Sequence, residues 1–141
     1  KFLMRVLGYV TSRSFQGFTI PVPAQNACLR EFAKSQNLNY VLPPLEHYFE
    51  DCYMQLFTAL KSIERGDILA MYSAAMLPNN LTKLEYIFLE LEKREGKMHF
   101  VLESKLIKNI DEVKSILYSY SLKNMFDNMH QIDIPSLRKM I

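Results

Sequence analysis

Apolar and polar positions follow two different patterns along this chain. Four short runs are almost continuously apolar, at residues 2–10, 38–43, 67–73 and 97–104. Such runs are typical of strands that are buried on both faces of a parallel sheet. Between and after these runs, apolar residues recur every three or four positions, as on one face of an amphipathic helix. The predicted helices span residues 22–37, 51–66, 79–96 and 109–126.

Residues that begin or end helices stand near the boundaries of these segments. Asp51 is a candidate N-cap for the second helix. Thr82 and Glu85 have the Thr-x-x-Glu spacing of a capping box at the start of the third helix. Gly66 and Gly96 follow the second and third helices, where glycine commonly terminates a helix. These signals support the predicted helices.

The alternation of strands and helices predicts the fold class. Each crossover helix returns the chain to the same edge, so that the strands run parallel and the helices cover the sheet. We therefore predict an α/β three-layer sandwich with a mainly parallel central sheet of four or five strands. Residues 1–126 are expected to form a single domain. Residues 127–141 are expected to form a C-terminal tail, either an edge strand or a docking arm.

Composition and charge argue against several functional classes. A formal net charge of +2 over 141 residues is too small to argue for nucleic acid or an acidic membrane surface. Cys28 and Cys52 form no Cys-x-x-Cys motif, so that neither a disulfide framework nor a thiolate zinc site follows. No apolar stretch approaches the roughly 20 residues of a membrane helix, and the apolar N-terminus is too short for a signal peptide. We therefore expect a cytoplasmic protein with no membrane partner.

Polar residues collect where the predicted strands end. Ligands of an open parallel sheet bind outside the carboxyl ends of its strands, and polar groups that converge there can form a small-molecule site. The residues 11–14 follow the first strand, and the helix after them begins near Gln25 and Asn26. The candidates that follow the other three strands are Glu46, His47, Tyr72, Ser73, Glu103 and Ser104.

The types of these residues predict two roles. Hydroxyl, carboxylate and imidazole groups can transfer protons or attack as nucleophiles. The candidates for catalysis are Ser12, Ser14, Glu46, His47, Tyr72 and Glu103. The planar fork of arginine binds a carboxylate or phosphate with two hydrogen bonds, and hydroxyls or amides near a helix N-terminus add further donors. The candidates for substrate binding are Thr11, Arg13, Gln25, Asn26, Ser73 and Ser104.

These candidates also have a purely structural interpretation. Ser12 and Ser14 are typical of turns, because serine readily bonds the local backbone, and Arg13 also suits a solvated surface. Glu46 and His47 stand in a stretch that is typical of a surface loop. No pair of His and carboxylate residues has helical metal spacing, and neither G-x-G-x-x-G nor G-x-x-x-x-G-K-[ST] occurs. We therefore expect no metal and no cofactor.

Several segments resemble a bacterial family known as sporadic carbohydrate cluster proteins. They are "GYVTSRSF", "IPVPAQN", "CYMQLF", "YSAAMLP" and "HFVLES", which together cover most of the chain to about residue 122. The resemblance implies a role in making or modifying a surface-glycan precursor. We therefore predict a protein of surface-carbohydrate biosynthesis that binds an anionic sugar or sugar acid and no nucleic acid. If it is an enzyme, a cofactor-independent isomerase, epimerase or lyase fits best.

Residues 5–104 also resemble, more distantly, the catalytic domain of serine recombinases, the resolvase and invertase group. That family begins with a strand and a Tyr-x-Arg-Val-Ser-like corner that holds the nucleophilic serine, here matched in order by "GYVTSRS". The family's Asp-Arg-x-x-Arg motif should fall in "YSAAMLPNN", residues 72–80, which contain no arginine. Nor does "FEDCYMQLF", residues 49–57, contain the arginine expected before the second helix.

The recombinase resemblance implies a resolvase-like fold and one alternative function. In that alternative, the chain is a nucleic-acid enzyme with Ser12 or Ser14 as its nucleophile, although fewer arginines would stabilise the phosphoryl transition state. A third interpretation is a non-catalytic partner of a biosynthetic enzyme, with exposed apolar surface at its interface.

The last predicted helix has a wide apolar face, which favours a homodimer. One stripe comprises Val113, Ile116, Leu117 and Tyr120, and a second comprises Tyr118, Leu122 and Met125. The tail adds further apolar residues, at positions 132, 134, 137, 140 and 141. The alternative is that the tail folds back over the edge of its own sheet.

Overall fold

The computed structural model describes residues 4–15, 17, 19–46, 49 and 52–119. Its strands are β1 (Arg5–Tyr9), β2 (Asn39–Val41), β3 (Ile68–Met71), β4 (Lys97–Phe100) and β5 (Lys105–Ile107). Its helices are α1 (Val22–Ser35), α2 (Met54–Lys61) and α3 (Leu81–Lys93), with a short 3-10 turn at Ala74–Met76. Residues 110–119 are also helical and are called α4.

The five strands form one sheet in the order β2-β1-β3-β4-β5. The strand β1 pairs in parallel with β2 and β3, and β3 pairs in parallel with β4. Of the five strands in the described residues, only β5 runs antiparallel, against β4. The predicted α/β sandwich with a mainly parallel sheet is therefore confirmed. The direction of strand addition reverses between β1 and β3, which places the loops that follow these two strands side by side.

Helices cover both faces of the sheet, which explains the continuous apolar runs. Along β1, Val6 belongs to the apolar cluster beneath α1, whereas Leu7 and Tyr9 belong to the larger cluster on the opposite face. All three side chains are buried. Because successive residues of a strand point to opposite faces, a strand with helices on both sides needs apolar residues at nearly every position.

The apolar run 97–104 is shorter as a strand than predicted. The backbone N–H groups of Val101 and Leu102 still donate to Met71 O and Tyr72 O, at 3.1 and 2.7 Å. The chain then turns at Ser104, whose φ is +53°. This turn returns the chain as β5, so that the fifth strand comes from residues 105–107 and not from the tail, which lies outside the described residues.

Two helix boundaries also differ from the prediction. The side-chain oxygen of Asn80 accepts a hydrogen bond from Lys83 N at 3.0 Å, so that Asn80 caps α3 rather than the Thr82–Glu85 pair. The helix α2 begins at Met54 and ends at Lys61, well before Gly66. Asp51, its predicted cap, lies outside the described residues.

The predicted homodimer is not supported. Val113 and Ile116 of the proposed dimer surface are buried in the core of their own chain. Leu117 packs against the same core, and Tyr118 is exposed. The other residues of that surface, from Tyr120 to the end of the chain, lie outside the described residues. The described part of the last helix therefore belongs to the fold of the single chain.

Candidate functional site

The first candidate group is the loop that follows β1, at the carboxyl edge of the sheet. We call residues 11–14 the β1 corner. Thr11 and its backbone are buried, Ser12 and Ser14 are exposed, and Arg13 is partly buried between them. The corner lies where the strand order reverses between β1 and β3, the usual position for ligands in open α/β sheets. It therefore presents two serine hydroxyls and a guanidinium at that edge.

The side-chain amide of Gln25 bonds the backbone at the start of the β1 corner. Its side-chain Nε2 donates to Thr11 O and to Ile20 O, at 2.7 and 2.8 Å. Its Oε1 accepts from Thr11 N at 3.3 Å. The Gln25 side chain is fully buried, and the Thr11 hydroxyl accepts from Arg13 N at 3.1 Å. Two residues that the sequence offered as substrate ligands are therefore bonded to the protein's own backbone.

Arg13 extends from the corner towards the start of α2. Its Nη1 donates to Cys52 O at 2.7 Å, and its Nη2 donates to the Tyr9 hydroxyl at 3.4 Å. The guanidinium carbon lies 4.5 Å from the centroid of the Tyr53 ring, in a cation–π contact. The amine of Lys83 lies 5.6 Å from the same centroid. Arg13 is therefore held in a defined orientation.

Glu46 is a buried carboxylate behind Arg13. The Tyr9 hydroxyl donates to its Oε2 at 3.0 Å, and the backbone N–H groups of Gln55 and Leu56 donate to the same oxygen at 2.9 and 3.3 Å. Glu46 is only 1% exposed. Burial raises the pKa of Tyr9, so that this phenol keeps its proton and links Arg13 to Glu46. The contacts indicate that Glu46 orients Tyr9 and the start of α2, whereas His47 lies outside the described residues.

A second polar group lies after β3 and β4. The Ser73 hydroxyl donates to Glu103 Oε1 at 2.7 Å and accepts from Ala75 N at 3.1 Å. The backbone N–H of Ala74 also donates to the Glu103 carboxylate. Ser73 is buried, so that these bonds brace the turn after β3 against the turn after β4. Ser73 and Glu103 therefore bond to each other and to the backbone of this turn.

The remaining candidates lie apart from these bonded groups. Tyr72 is partly buried and packs against Phe15, with ring centroids 6.2 Å apart. Asn26 accepts from the Tyr40 hydroxyl at 2.7 Å, which ties α1 to β2. Burial raises the pKa of Tyr40 to about 12. Ser104 is exposed in the turn between β4 and β5.

Sequence reasoning missed Tyr9, Tyr53 and Lys83. Tyr9 is the last residue of β1, a position where a buried aromatic side chain is most often a packing residue. Tyr53 stands before α2 and Lys83 in the first turn of α3, and no motif connects either residue to the β1 corner. Only the packing of α2 and α3 on the same face of the sheet brings them to Arg13. The departure of residues 49–57 from the recombinase pattern was the one sequence signal near Tyr53.

A separate cavity of about 500 Å³ lies between α1 and the turn after β4. Phe32 and His99 stack along its wall, with ring centroids 3.7 Å apart. Burial lowers the pKa of His99, an effect that the charge of Glu103 opposes. Among the described residues, the buried Nδ1 of His99 has no hydrogen-bond partner. This cavity is lined by none of the β1 corner residues.

Two other features, a metal-binding cluster and a membrane-spanning helix, are not found among the described residues. Within residues 4–119 as described, no three His, Cys, Asp or Glu side chains are grouped closely enough to hold a metal ion. Among the described helices, none combines the length and the apolar character needed to cross a membrane.

Comparisons with known proteins match this fold to recombinase domains. A resolvase family site-specific recombinase from Streptococcus pneumoniae superposes with a TM-score of 0.60 at 11% identity, over 97% of this chain and 98% of that chain. The N-terminal catalytic domain of TP901-1 integrase superposes with a TM-score of 0.57 at 16% identity, over 90% and 98%. By sequence, no protein-family model and no curated protein matches the chain.

These comparisons confirm the resolvase-like fold and correct the predicted function. No sequence comparison supports membership in the sporadic carbohydrate cluster family. The prediction of a sugar-acting protein with a sugar as its partner is wrong, because the structural neighbours are recombinase domains. The exclusion of nucleic acid as a partner is wrong for the same reason. It relied on the small net charge, which does not reveal how the cations are arranged on the surface.

Proposed function

We propose that this chain acts on nucleic acid through a domain of the serine recombinase fold. The observation that carries the proposal is the β1 corner, where Ser12 and Ser14 are exposed on either side of the fixed Arg13. The neighbours of the fold are a site-specific recombinase and the catalytic domain of an integrase. A hydroxyl beside an oriented guanidinium suits attack on a phosphodiester, since the cation stabilises the charge that develops on the phosphoryl oxygens.

The proposed reaction is a transesterification at Ser12 or Ser14. The serine Oγ forms a bond to phosphorus, and the bond from phosphorus to a deoxyribose oxygen breaks. The proton of the serine hydroxyl ends on that deoxyribose oxygen, so that the products are a phosphoserine-linked DNA end and a free hydroxyl end. The reverse reaction rejoins the strand.

A second candidate function is nucleic-acid binding without cleavage. Residues 72–80, where the recombinase motif should fall, contain no Arg or Lys. Ser73 and Ala74 are instead buried against Glu103. A corner with few cations would stabilise the phosphoryl transition state less than the recombinase pattern does. This observation favours a binding domain that keeps the fold.

A covalent-trapping experiment separates the two functions. The protein is incubated with a library of duplexes that carry a randomised core, then denatured and analysed by mass spectrometry for a DNA adduct on serine. If the protein cleaves DNA, an adduct should form, and it should disappear in one of the two variants Ser12→Ala and Ser14→Ala, the one that removes the nucleophile. It must persist in Ser35→Ala, a matched change of an exposed serine at the end of α1.

Binding of the duplexes without any adduct would favour the second function. An absence of both the adduct and binding, at low salt and with a folded protein, would contradict both functions. Circular dichroism of each variant serves as the check of folding.

A further inference from the structure

We propose that Arg13, Tyr53 and Lys83 form a phosphate-binding subsite, which we call the cation–tyrosine cluster. The identification of the phosphate as part of a nucleic-acid backbone rests on the proposed function. The subsite itself is formed by three segments of the chain that meet at the ring of Tyr53. They are the β1 corner, the residue before α2, and the first turn of α3.

Arg13 retains donors for a ligand. A guanidinium has five N–H donors. Two of them bond Cys52 O and the Tyr9 hydroxyl, and no other hydrogen bond of the Arg13 side chain occurs among the described residues. The stacking on Tyr53 and the bond to Cys52 hold the plane of the fork. An oriented fork loses less conformational freedom when it binds a phosphate than a flexible one would.

Lys83 brings a second positive charge to the same ring. The two distances to the Tyr53 centroid, 4.5 and 5.6 Å, place the charges of Arg13 and Lys83 no more than about 10 Å apart, close to the Debye length at 0.1 M salt. Among the described residues, neither cation forms a salt bridge. The carboxylate nearest to Arg13 along its hydrogen bonds is Glu46, which already accepts from Tyr9 and two backbone amides.

Arg13 and Lys83 repel each other at this separation, and an anion that contacts both of them would relieve that repulsion. Phosphate suits the cluster because arginine binds it with two donors and lysine binds it as a point charge. The cluster also supplies cations from α3 and the β1 corner, whereas residues 72–80 supply none. The cluster would therefore bind phosphate through Arg13 and Lys83, whereas the recombinase pattern uses the arginines of its Asp-Arg-x-x-Arg motif.

The salt dependence of duplex binding tests the subsite. Each phosphate contact that is removed lowers the slope of log K against log salt by about 1. Arg13→Ala and Lys83→Ala are each expected to lower the slope by about 1. Lys93→Ala, an exposed lysine in the last turn of the same helix, is the matched control and should leave the slope unchanged. Tyr53→Phe keeps the ring and should retain wild-type affinity, whereas Tyr53→Leu should weaken binding.

Titration with inorganic phosphate, monitored by NMR, distinguishes failure of the subsite from failure of the proposed function. Phosphate-dependent shifts at Tyr53 that vanish in Arg13→Ala support the subsite even if the wild-type protein binds no duplex, in which case the proposed function fails. The subsite is overturned if folded Arg13→Ala and Lys83→Ala both keep the wild-type salt slope. In a protein that binds no duplex, it is overturned if inorganic phosphate causes no shifts at the cluster.

Discussion

Replacement of Gln25 by alanine should destabilise the protein strongly, because its buried amide makes three hydrogen bonds to the backbone of the loop after β1. The Gln25→Ala change leaves Thr11 N, Thr11 O and Ile20 O without the partners they have at 3.3, 2.7 and 2.8 Å. Gln25 is 0% exposed and Thr11 is 1% exposed, so that water cannot easily replace the amide at Thr11.

The expected loss follows from the number of bonds. Leaving a buried polar group unpaired costs about 1–3 kcal/mol. Two groups at buried Thr11 and one at the partly exposed Ile20 therefore give a loss of about 3 kcal/mol, a large part of the ~5–15 kcal/mol of a typical domain. The matching fall in Tm is about 10 °C for a chain of this size.

Urea unfolding, monitored by far-UV circular dichroism, measures this loss in the free energy of unfolding. Circular dichroism is used because the chain has no tryptophan for fluorescence. Gln25→Glu is the sharper variant, because a carboxylate would face two carbonyl oxygens and should be at least as destabilising at neutral pH. Gln36→Ala is the matched control. Gln36 is exposed and makes one side-chain bond of 3.5 Å, so its loss should stay within about 0.5 kcal/mol.

Hydrogen exchange gives a second measurement of the same effect. The amide of Thr11 should exchange faster in Gln25→Ala than in the wild type, because its acceptor is removed. The reasoning would be refuted if Gln25→Ala unfolded within about 1 kcal/mol of the wild type, since even one unpaired buried group should cost that much.

Two further predictions concern titratable side chains elsewhere in the fold. Asp67→Asn should lower the free energy of unfolding by about 2 kcal/mol in a urea titration, because buried Asp67 accepts from Arg5 Nη2 at 2.7 Å. This value is below the ~3–5 kcal/mol of fully buried pairs, since the Arg5 side chain is 30% exposed. Burial lowers the pKa of His99, so the unfolded chain binds its proton more readily and stability should fall as the pH drops through about 6.5. His99→Phe should reduce that loss between about pH 7.5 and 5.5, and an unchanged pH dependence would contradict it.

The periodicity of the sequence was enough to predict the layers of the fold. A strand covered by helices on both faces needs apolar residues throughout, and a helix that covers one face needs them every three or four positions. The runs at 2–10 and 67–73 contain β1 and β3, and the stripe at 79–96 contains α3. Boundaries were less accurate, because ends depend on single hydrogen bonds such as that from Lys83 N to Asn80.

The sequence also indicated which loops meet at the carboxyl edge of the sheet, because the alternation of strands and helices implies parallel strands. It could not show which polar side chains face outward. Glutamine and glutamate often bind ligands or take part in catalysis. In this chain, however, Gln25 and Glu46 are both buried and bonded to the protein's own backbone. A buried polar group must find partners, and those partners are defined by the packed structure.

The cation–tyrosine cluster was decided by the tertiary structure alone. Arg13, Tyr53 and Lys83 are separated by 30 or more positions in the chain, and no spacing or motif connects them. They meet because the direction in which strands are added to the sheet reverses between β1 and β3, and because α2 and α3 pack on the same face of that sheet. Periodicity reports which side of an element is buried, whereas contacts between distant side chains depend on the order of the strands and the packing of the helices.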